Sequence, residues 1–300
     1  MSELLDLLVF GDTAIDYFYE VDSFPKMNTA AEIFNSRKFY GGMGANTAVV
    51  AKSLGLSVGL VSVIGTDVED YRRYLDNLGI ELHLKGVFGD TTQSLFFKNN
   101  GSQISFFYKG VTEKLDELEP GKTFEKELIK RTSTVYLGRT YLNLQKKVVK
   151  SCRSKFLVYN PGYGVFEFTT IPEDFKQILS KTSVLILNQH ELDHLMVLGF
   201  KIGGSHGPKT TIITKGAKGC SVYGRNTEVD IGGFKTDVID ASGAGDAFNA
   251  GFIAGQVKGY DIFDSVRFGN ATASFIVEAW GCQTNLPDWD KVKNRFNSIK

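Results

Sequence analysis

The segment Val238–Asn249 carries the strongest chemical signal in the chain, with the sequence VIDASGAGDAFN ahead of a helical pattern. Gly243, Ala244 and Gly245 are small enough for backbone N–H groups to approach an anion at the positive end of a helix dipole. Asp246 follows directly, at the predicted start of the helix, where a carboxylate can accept the proton of an attacking hydroxyl. A tight glycine turn with Asp246 as a helix-capping carboxylate explains the spacing equally well, because short glycine motifs often occur by chance.

A second glycine segment, YGGMGAN, extends from Tyr40 to Asn46 and also precedes a helical pattern. Adjacent glycines give a ligand access to the backbone, and the Asn46 amide offers a donor and an acceptor to a hydroxyl. Taken alone, an ordinary loop with Asn46 in solvent explains this segment more readily. The chain contains no G-x-x-x-x-G-K-[ST] motif, and Gly41, Gly42 and Gly44 lack the spacing of a dinucleotide fingerprint.

A third motif, HELDH at His190–His194, matches the H-E-x-x-H pattern of zinc proteases. Such an enzyme would use the two histidines as zinc ligands, Glu191 as base and a third protein ligand further along the chain. The extended zinc motif requires Gly at position 197 and His at position 200, where this chain has Val197 and Phe200. The sequence therefore offers no evident third ligand.

The overall composition favours a protein that recognises its ligand locally. Basic and acidic side chains balance at 34 each, so no net charge attracts nucleic acid or a membrane surface, and neither is an expected partner. The first residues, MSELLDLLVFGD, lack the features of a secretory signal, and no apolar run reaches membrane-spanning length. Cys152, Cys220 and Cys282 are odd in number and far apart, which suits reduced thiols. We expect a cytoplasmic protein.

Short apolar runs alternate with segments of helical period, which predicts an α/β doubly wound domain with a mostly parallel sheet flanked by helices. The predicted strands are Leu4–Phe10, Leu56–Ile64, Thr134–Leu137, Phe156–Tyr159, Val184–Leu187 and Thr210–Thr214. The predicted helices are Ala45–Leu54, Val68–Leu78, Leu144–Cys152, His190–Leu198, Ala244–Val257 and Ile262–Ala279.

Two segments, 13–40 and 91–108, depart from this alternation because they are rich in Phe, Tyr and β-branched residues. Asn99-Asn100-Gly101 is a hairpin signal between two strands of the second segment. We therefore expect a small β-sheet formed by 13–40 and 91–108 that projects from a main domain comprising 1–12, 41–90 and 109–300.

Together these motifs resemble the signatures of the ribokinase-like (PfkB) family of carbohydrate and nucleoside kinases, over essentially the whole chain. The matching residues are Gly11 and Asp16 after the first strand, Gly41, Gly42, Gly44 and Asn46 as GG-x-G-x-N, Asn188 and Glu191 as N-x-x-E, Thr214–Gly219 as the glycine turn near the nucleotide, and Asp240 with Gly243–Asp246 as D-x-x-G-A-G-D. Several motifs in the same order are more specific than any one of them.

This resemblance implies transfer of the ATP γ-phosphoryl group to a hydroxyl, with Asp246 as base and the amides near Gly243, Ala244 and Gly245 as the anion hole. Asp16, Gly42 and Asn46 would bind the acceptor. ATP would contact Asn188, Thr214, Lys215, Gly216, Gly219, Asn270 and Ala273, and Glu191 would hold water around Mg²⁺. Asp240 and Ser242 would lie at a site for a monovalent cation such as K⁺. The small sheet would close as a lid and pair with its copy in a homodimer.

Within the family the sequence is most similar to archaeal nucleoside kinases, around Thr13–Tyr17, at Tyr40-Gly-Gly, and in Ala271–Ala279 followed by Gly281–Pro287. This similarity favours a nucleoside 5′-hydroxyl as acceptor. Ala14 supports this, since ribokinases have an asparagine there; a PfkB sugar kinase acting on ribose, fructose or a sugar phosphate is the alternative. A zinc protease and a non-catalytic ligand-binding protein are more distant alternatives. Tyr108, with Phe18 and Phe106, is expected to stack on the acceptor base. Arg139 has no family counterpart, and a surface arginine at a strand end explains it better than a phosphate ligand.

Overall fold

The computed structural model describes residues 4–119, 121, 126–152, 155–204, 207–224 and 227–298. Within these residues the strands are β1 (Leu5–Phe10), β2 (Ala14–Val21), β3 (Ile33–Gly41), β4 (Val58–Gly65), β5 (Glu81–Val87), β6 (Thr92–Asn99), β7 (Ser102–Tyr108), β8 (Thr132–Gly138), β9 (Phe156–Asn160), β10 (Val184–Asn188), β11 (Thr210–Thr214), β12 (Cys220–Tyr223) and β13 (Glu228–Ile231). The α-helices are α1 (Met43–Ser53), α2 (Glu69–Asn77), α3 (Lys126–Lys130), α4 (Leu142–Ser151), α5 (Glu173–Leu179), α6 (Gln189–Val197), α7 (Ala244–Val257), α8 (Ile262–Ile276) and α9 (Trp289–Asn297).

The larger sheet has the order β13-β12-β11-β10-β9-β8-β1-β4-β5 within the described residues. The strands from β11 to β5 pair in parallel, and β12 and β13 add an antiparallel edge. Successive side chains of β1 enter different cores: Leu7 and Val9 pack on one face, and Leu8 and Phe10 pack on the other. A strand buried on both faces is apolar throughout, which explains its continuous hydrophobic run. The predicted doubly wound α/β fold is confirmed.

The smaller sheet has the order β3-β2-β6-β7, with β2 and β6 parallel and the outer pairs antiparallel. The predicted hairpin connects β6 to β7, and both Asn100 (φ 42°) and Gly101 (φ 84°) adopt the left-handed conformation that a two-residue hairpin turn requires. This separate sheet, the lid, is built from the two aromatic-rich segments of the sequence. The domain boundaries themselves stay a prediction.

Several elements were not predicted from the sequence: β5, β12, α3, α5 and α9. β5 lies at the sheet edge, where its residues are only half-buried or exposed, so it lacks the continuous apolar run of the inner strands. Helix α7 has the predicted bounds Ala244–Val257, and Gly243 (φ 74°) is its N-cap. No helix among the described residues combines the length and hydrophobicity needed to cross a membrane.

Candidate active site

A cleft of ≈ 430 Å³ lies between the carboxyl ends of the inner parallel strands and the lid. Asp16, Gly42, Asn46, Ser242, Gly243 and Asp246, all predicted site residues, line it together with Asp12, Ala14, Met43, Thr92, Ser94, Phe96, Gln103, Ser105, Phe107, Arg139, Tyr163, Ala241 and Cys282. The two glycine segments, far apart in the sequence, therefore meet in one cavity. Such a position, outside the carboxyl edge of a parallel sheet, is where α/β proteins bind ligands.

Asn46 and Asp246 are joined directly, because the Asn46 Nδ2 donates to Asp246 Oδ2 at 2.9 Å. The other end of the Asn46 amide accepts a hydrogen bond from Gln283 Nε2 at 2.8 Å, and the same nitrogen donates to the Tyr71 hydroxyl at 3.0 Å. Tyr71 in turn donates to the carbonyl of Gly41 at 2.7 Å. This buried chain fixes the amide orientation of Asn46 so that its donor points at the Asp246 carboxylate. Gln283 was not among the predicted site residues.

The Asp246 carboxyl has an unusual proton affinity. Burial raises its pKa to about 8; the hydrogen bond from Asn46 opposes this rise, and the negative charges of Asp12, Asp16 and Glu191 add to it. A carboxylate with a raised pKa holds a proton more firmly, so it is a stronger base than an exposed aspartate. The residue at the amino end of α7 can therefore take a proton from a hydroxyl in the cleft.

Asp16 projects from β2 into the same cleft and is only 4% exposed. Burial raises its pKa to about 7, while hydrogen bonds from Ser94 and Cys282 oppose the change. A Cβ on Gly41 would lie 2.1 Å from Asp16 Oδ2, and one on Gly42 (φ 96°) would lie 2.6 Å from the Ala14 nitrogen. The paired glycines are thus needed for the carboxylate to lie against the backbone that leads into α1.

The amino end of α7 opens on the cleft through Ser242 and Gly243. A Cβ on Gly243 would lie 2.6 Å from Cys282 Cβ, whereas one on Gly245 would meet no atom within 4 Å. The Ala244 amide donates to the Ala241 carbonyl at 3.3 Å in this structure. A helix start leaves its first amides without intrahelical acceptors, so the geometry offers an anion site there. Ala244 and Gly245 do not line the cleft itself, and the space beside Gly245 is open.

Asp240 lies directly before this loop and is buried at 2% exposure. Its carboxylate accepts hydrogen bonds from the Ser242 and Gly281 amides, each at 3.2 Å. The Lys98 ammonium of lid strand β6 lies 2.6 Å from Asp240 Oδ1. The position predicted for a monovalent cation is therefore already next to a charged nitrogen.

The residues predicted to bind ATP lie together at the carboxyl ends of β10 and β11, outside the lining of the cleft. Asn188 and Thr214 are paired in register at these strand ends. Gly216 belongs to a 3₁₀ turn beside Lys215, and Lys215 Nζ lies 3.1 Å from Asp230 Oδ1. Asn270 Nδ2 donates to the Gly232 carbonyl at 3.1 Å, which brings α8, with Ala273, against this turn. Gly219 (φ 86°) follows this turn. Only glycine fits there, because a Cβ would lie 2.0 Å from the Ile231 carbonyl oxygen.

Glu191 and Asn188 form a reciprocal capping box at the start of α6. Asn188 donates to the Glu191 carboxylate through its backbone N at 2.9 Å and its Nδ2 at 2.8 Å. Burial raises the pKa of Glu191 to about 7. The carboxylate and amide oxygens of these two residues lie beside the predicted nucleotide turn, and such oxygens fit hydrated Mg²⁺.

The two histidines of the HELDH motif have different surroundings. His190 is exposed, and His194 Nε2 lies 3.2 Å from the Phe168 carbonyl while its ring packs against Phe166. Glu191 is turned to the helix cap, as described above. Among the residues that the structure describes, no group of three or more His, Cys, Asp or Glu is arranged to hold a metal ion.

The aromatic residues expected to meet the acceptor need correction. Successive residues of β7 point to opposite faces of the lid, and Phe107 lines the cleft while Tyr108 does not. Phe106 is on the same outer face as Tyr108 and packs edge-on against Phe97. Phe18 is 1% exposed in the lid interior, stacked on Phe96. The aromatic residues that line the cleft are instead Phe96, Phe107 and Tyr163.

Arg139 also differs from the expectation of a surface arginine. It adopts the left-handed conformation (φ 63°) directly after β8, and this turn directs its side chain into the cleft. Arg139 Nη1 lies 2.9 Å from Asp12 Oδ2, and both side chains are largely buried. Asp12 was not predicted as a site residue, although it is next to Gly11, which the family motif includes.

The fold and the cleft define a class of protein. The chain belongs to the pfkB family of carbohydrate kinases, because the sequence model of that family matches residues 4–289. It is a phosphotransferase that acts on hydroxyl groups, an ATP-dependent nucleoside or sugar kinase.

The chain is similar to two archaeal nucleoside kinases. The nucleoside kinase of Methanocaldococcus jannaschii is 37% identical over 295 residues, which cover 95% of each chain. The nucleoside kinase of Methanothermobacter thermautotrophicus is 32% identical over 308 residues, 99% of this chain and 97% of that protein. The crystal structure of the M. jannaschii nucleoside kinase superposes with a TM-score of 0.87 at 35% identity, over 99% of this chain and 100% of the other.

Proposed function

We propose that the chain transfers the γ-phosphoryl group of ATP to the 5′-hydroxyl of a nucleoside, with Asp246 as the general base. The observation that carries this proposal is the convergence of Asp16, Asn46 and Asp246 in one cleft with an aromatic wall. Carboxylate and amide groups suit the hydroxyls of a ribose. Phe107 and Tyr163, 44% and 53% exposed with ring centroids 5.3 Å apart, suit the flat face of a nucleobase.

The chemical step assigns one role to each part of the cleft. Asp16 and Asn46 hold the ribose so that the 5′-hydroxyl faces Asp246, which accepts its proton. The amides at the start of α7 stabilise the charge on the transferring group; removal of one such donor typically lowers kcat by about 10²- to 10³-fold. Asn188 and Glu191 would hold Mg²⁺ through water, and the ion would supply positive charge that neutralises the nucleotide phosphates.

Two further ligands, ATP and K⁺, would bind at neighbouring residues. ATP would lie along the turn from Lys215 to Gly219 and against α8, where Asn270 and Ala273 are placed. K⁺ near Asp240 and Ser242 would compete with Lys98, whose ammonium already neutralises the Asp240 carboxylate.

We propose that the protein forms a homodimer through the lid. The outer face of the lid carries a continuous aromatic row, in which Tyr19 stacks on Phe97 at 5.0 Å and Phe97 meets Phe106 at 5.9 Å. Ile104 and Phe106 remain 41% and 57% exposed, so a second lid would cover apolar surface. We place the enzyme in the cytoplasm, since it consumes ATP and its three cysteines are buried free thiols.

A phosphorylation screen tests the proposal. Purified protein with Mg²⁺-ATP is offered adenosine, guanosine, inosine, cytidine, ribose, fructose and fructose 6-phosphate, and products are identified by mass spectrometry. We expect nucleoside 5′-monophosphates, and no phosphorylation of the matched 5′-deoxynucleoside. Preference for the sugars would contradict the nucleoside acceptor while leaving the family assignment intact, and phosphorylation of the 5′-deoxynucleoside would contradict the 5′-position.

A further inference from the structure

Lys98 forms the direct polar link between the lid and the loop that precedes α7. Its side chain is 17% exposed and that of Asp240 is 1% exposed, and the ammonium lies 2.6 Å from Asp240 Oδ1. The ammonium also lies over the rings of Trp280, at 4.4 Å, and Phe18, at 4.9 Å. A charged nitrogen between a carboxylate and two aromatic faces is held by several contacts rather than by one.

The partner carboxylate organises the anion site. Asp240 accepts hydrogen bonds from the amides of Ser242 and Gly281, so it shapes the loop that ends at the N-cap Gly243. A buried carboxylate without a counter-charge is costly, and its negative charge would oppose a phosphoryl group at the start of α7. The position therefore needs a cation.

Strand β6, which carries Lys98, also lines the cleft proposed for the acceptor. Ser94 and Phe96 of β6 line the cleft, and they lie on the same face of the strand as Lys98. Phe96 stacks on Phe18 at 4.7 Å, which lies under the Lys98 ammonium. One strand thus contacts both the acceptor cavity and the anion-site loop.

We propose that Lys98 is a positioning residue that serves as a tethered cation: it neutralises Asp240 in place of a free monovalent ion and couples the lid to the anion site. The coupling part rests on the proposed function, because it assumes that the acceptor occupies the cleft. The enzyme consequently needs no added potassium, and the anion site is fully formed only when the lid lies against Asp240.

The first test uses the unmodified protein. Turnover is measured in choline chloride and in potassium chloride at matched ionic strength, with the best acceptor of the screen, whether nucleoside or sugar. We expect equal kcat values in the two salts. A strict requirement of the wild-type protein for potassium would overturn the proposal.

The second test replaces Lys98 by methionine, which keeps a long apolar stem over Trp280 but removes the charge. In choline chloride we expect kcat to fall by about tenfold or more, with a smaller change in the KM for ATP, because the variant loses electrostatic support of the anion site. Potassium or ammonium ions should restore part of the kcat. Lys98→Arg should stay active without added cation, and Lys38→Met, which removes an exposed lysine of the same lid, should behave like the wild type.

A thermal readout separates this inference from the proposed acceptor chemistry. The melting temperature of Lys98→Met should rise when potassium replaces choline, whereas that of the wild type should not, and this holds even if no tested acceptor is phosphorylated. A variant with wild-type kcat in choline, or one whose kcat and melting temperature respond to no cation, would overturn the assignment of Lys98. If Lys98→Met does not fold, the wild-type salt comparison and Lys98→Arg decide the question.

Discussion

The carboxyl group of Asp246 receives a hydrogen bond from Asn46 and lies near the carboxylates of Asp12, Asp16 and Glu191. This arrangement suits proton transfer but opposes ionisation of the carboxyl group. Activity is therefore obtained at some cost in stability, as is common for active sites.

The raised pKa of Asp246 predicts how the stability of the folded chain depends on pH. The pKa of Asp246 is about 8 in the folded chain and 3.8 as its ordinary value, so the folded state binds the proton more tightly. Its stabilising contribution is complete below the ordinary pKa and is lost as the pH rises through the folded value. Asp246→Asn should therefore raise the melting temperature, and more strongly at pH about 8 than at pH about 5. Calorimetry at the two pH values checks this, and a gain that shrinks with pH would contradict the assigned environment.

Gly243 and Gly245 should respond differently to the same added methyl group. Gly243→Ala forces φ 74° on a residue with a Cβ and brings that atom 2.6 Å from Cys282 Cβ, so the melting temperature should fall by several degrees. Gly245→Ala meets no protein atom, so the melting temperature should change by less than about 2 °C. Its kcat should nevertheless fall by about tenfold or more, because the methyl group occupies space that the phosphoryl group requires.

Melting curves and steady-state kinetics of the two variants separate these effects. Full activity of Gly245→Ala would show that the anion does not approach this side of the helix start.

At the scale of single residues, the sequence predicted the positions that its backbone motifs determine. Asn46 and Asp246 each lie in the first turn of a helix with a glycine N-cap, and Asp16 of β2 lies against Gly41, so the three residues meet in one cleft. The sequence did not predict Arg139, since its direction depends on a left-handed turn that a non-glycine residue rarely adopts. Gln283 was also missed, because its role depends on a hydrogen-bonded chain between distant segments.

At the scale of elements, the two-residue period of the lid strands decides which aromatics meet a ligand. The run Phe106-Phe107-Tyr108 did not specify which face points inward. The β6–β7 register places Phe107 opposite Ser94, which lines the cleft, and leaves Phe106 and Tyr108 on the outer face. Inner strands were predicted more accurately than the edge strand β5, because burial on both faces gives a continuous apolar run.

The outer face of the lid leads to a prediction about assembly. Phe106→Glu places a charge within the exposed aromatic row, so a lid-mediated dimer should dissociate to a monomer. Phe88→Glu is the matched control, since Phe88 is 94% exposed outside the lid and should leave the dimer unchanged. Size-exclusion chromatography with light scattering measures both variants. A monomeric wild-type protein would contradict the proposed interface, and so would a Phe106→Glu variant that remains dimeric.

At the scale of the whole molecule, the doubly wound sheet positions the site by bringing several strand ends to one edge. β1 and β8 end beside the cleft proposed for the acceptor, and β10 and β11 end at the predicted nucleotide turn. The lid covers this edge from the opposite side and supplies Asp16 and Phe107. The order of buried strands allowed the fold class to be predicted, but the closeness of lid and loop at Lys98 and Asp240 depends on packing that no local pattern encodes.

The most direct test of the central claim is kcat for nucleoside phosphorylation by the wild type and by Asp246→Asn, with ATP binding measured on both proteins. The substitution keeps the shape of the side chain and can still meet Asn46, but it removes the proton acceptor. We predict a fall in kcat of about 10²- to 10⁴-fold with ATP binding retained. A variant that retains kcat within about tenfold of the wild type would contradict the assignment of Asp246 as the general base.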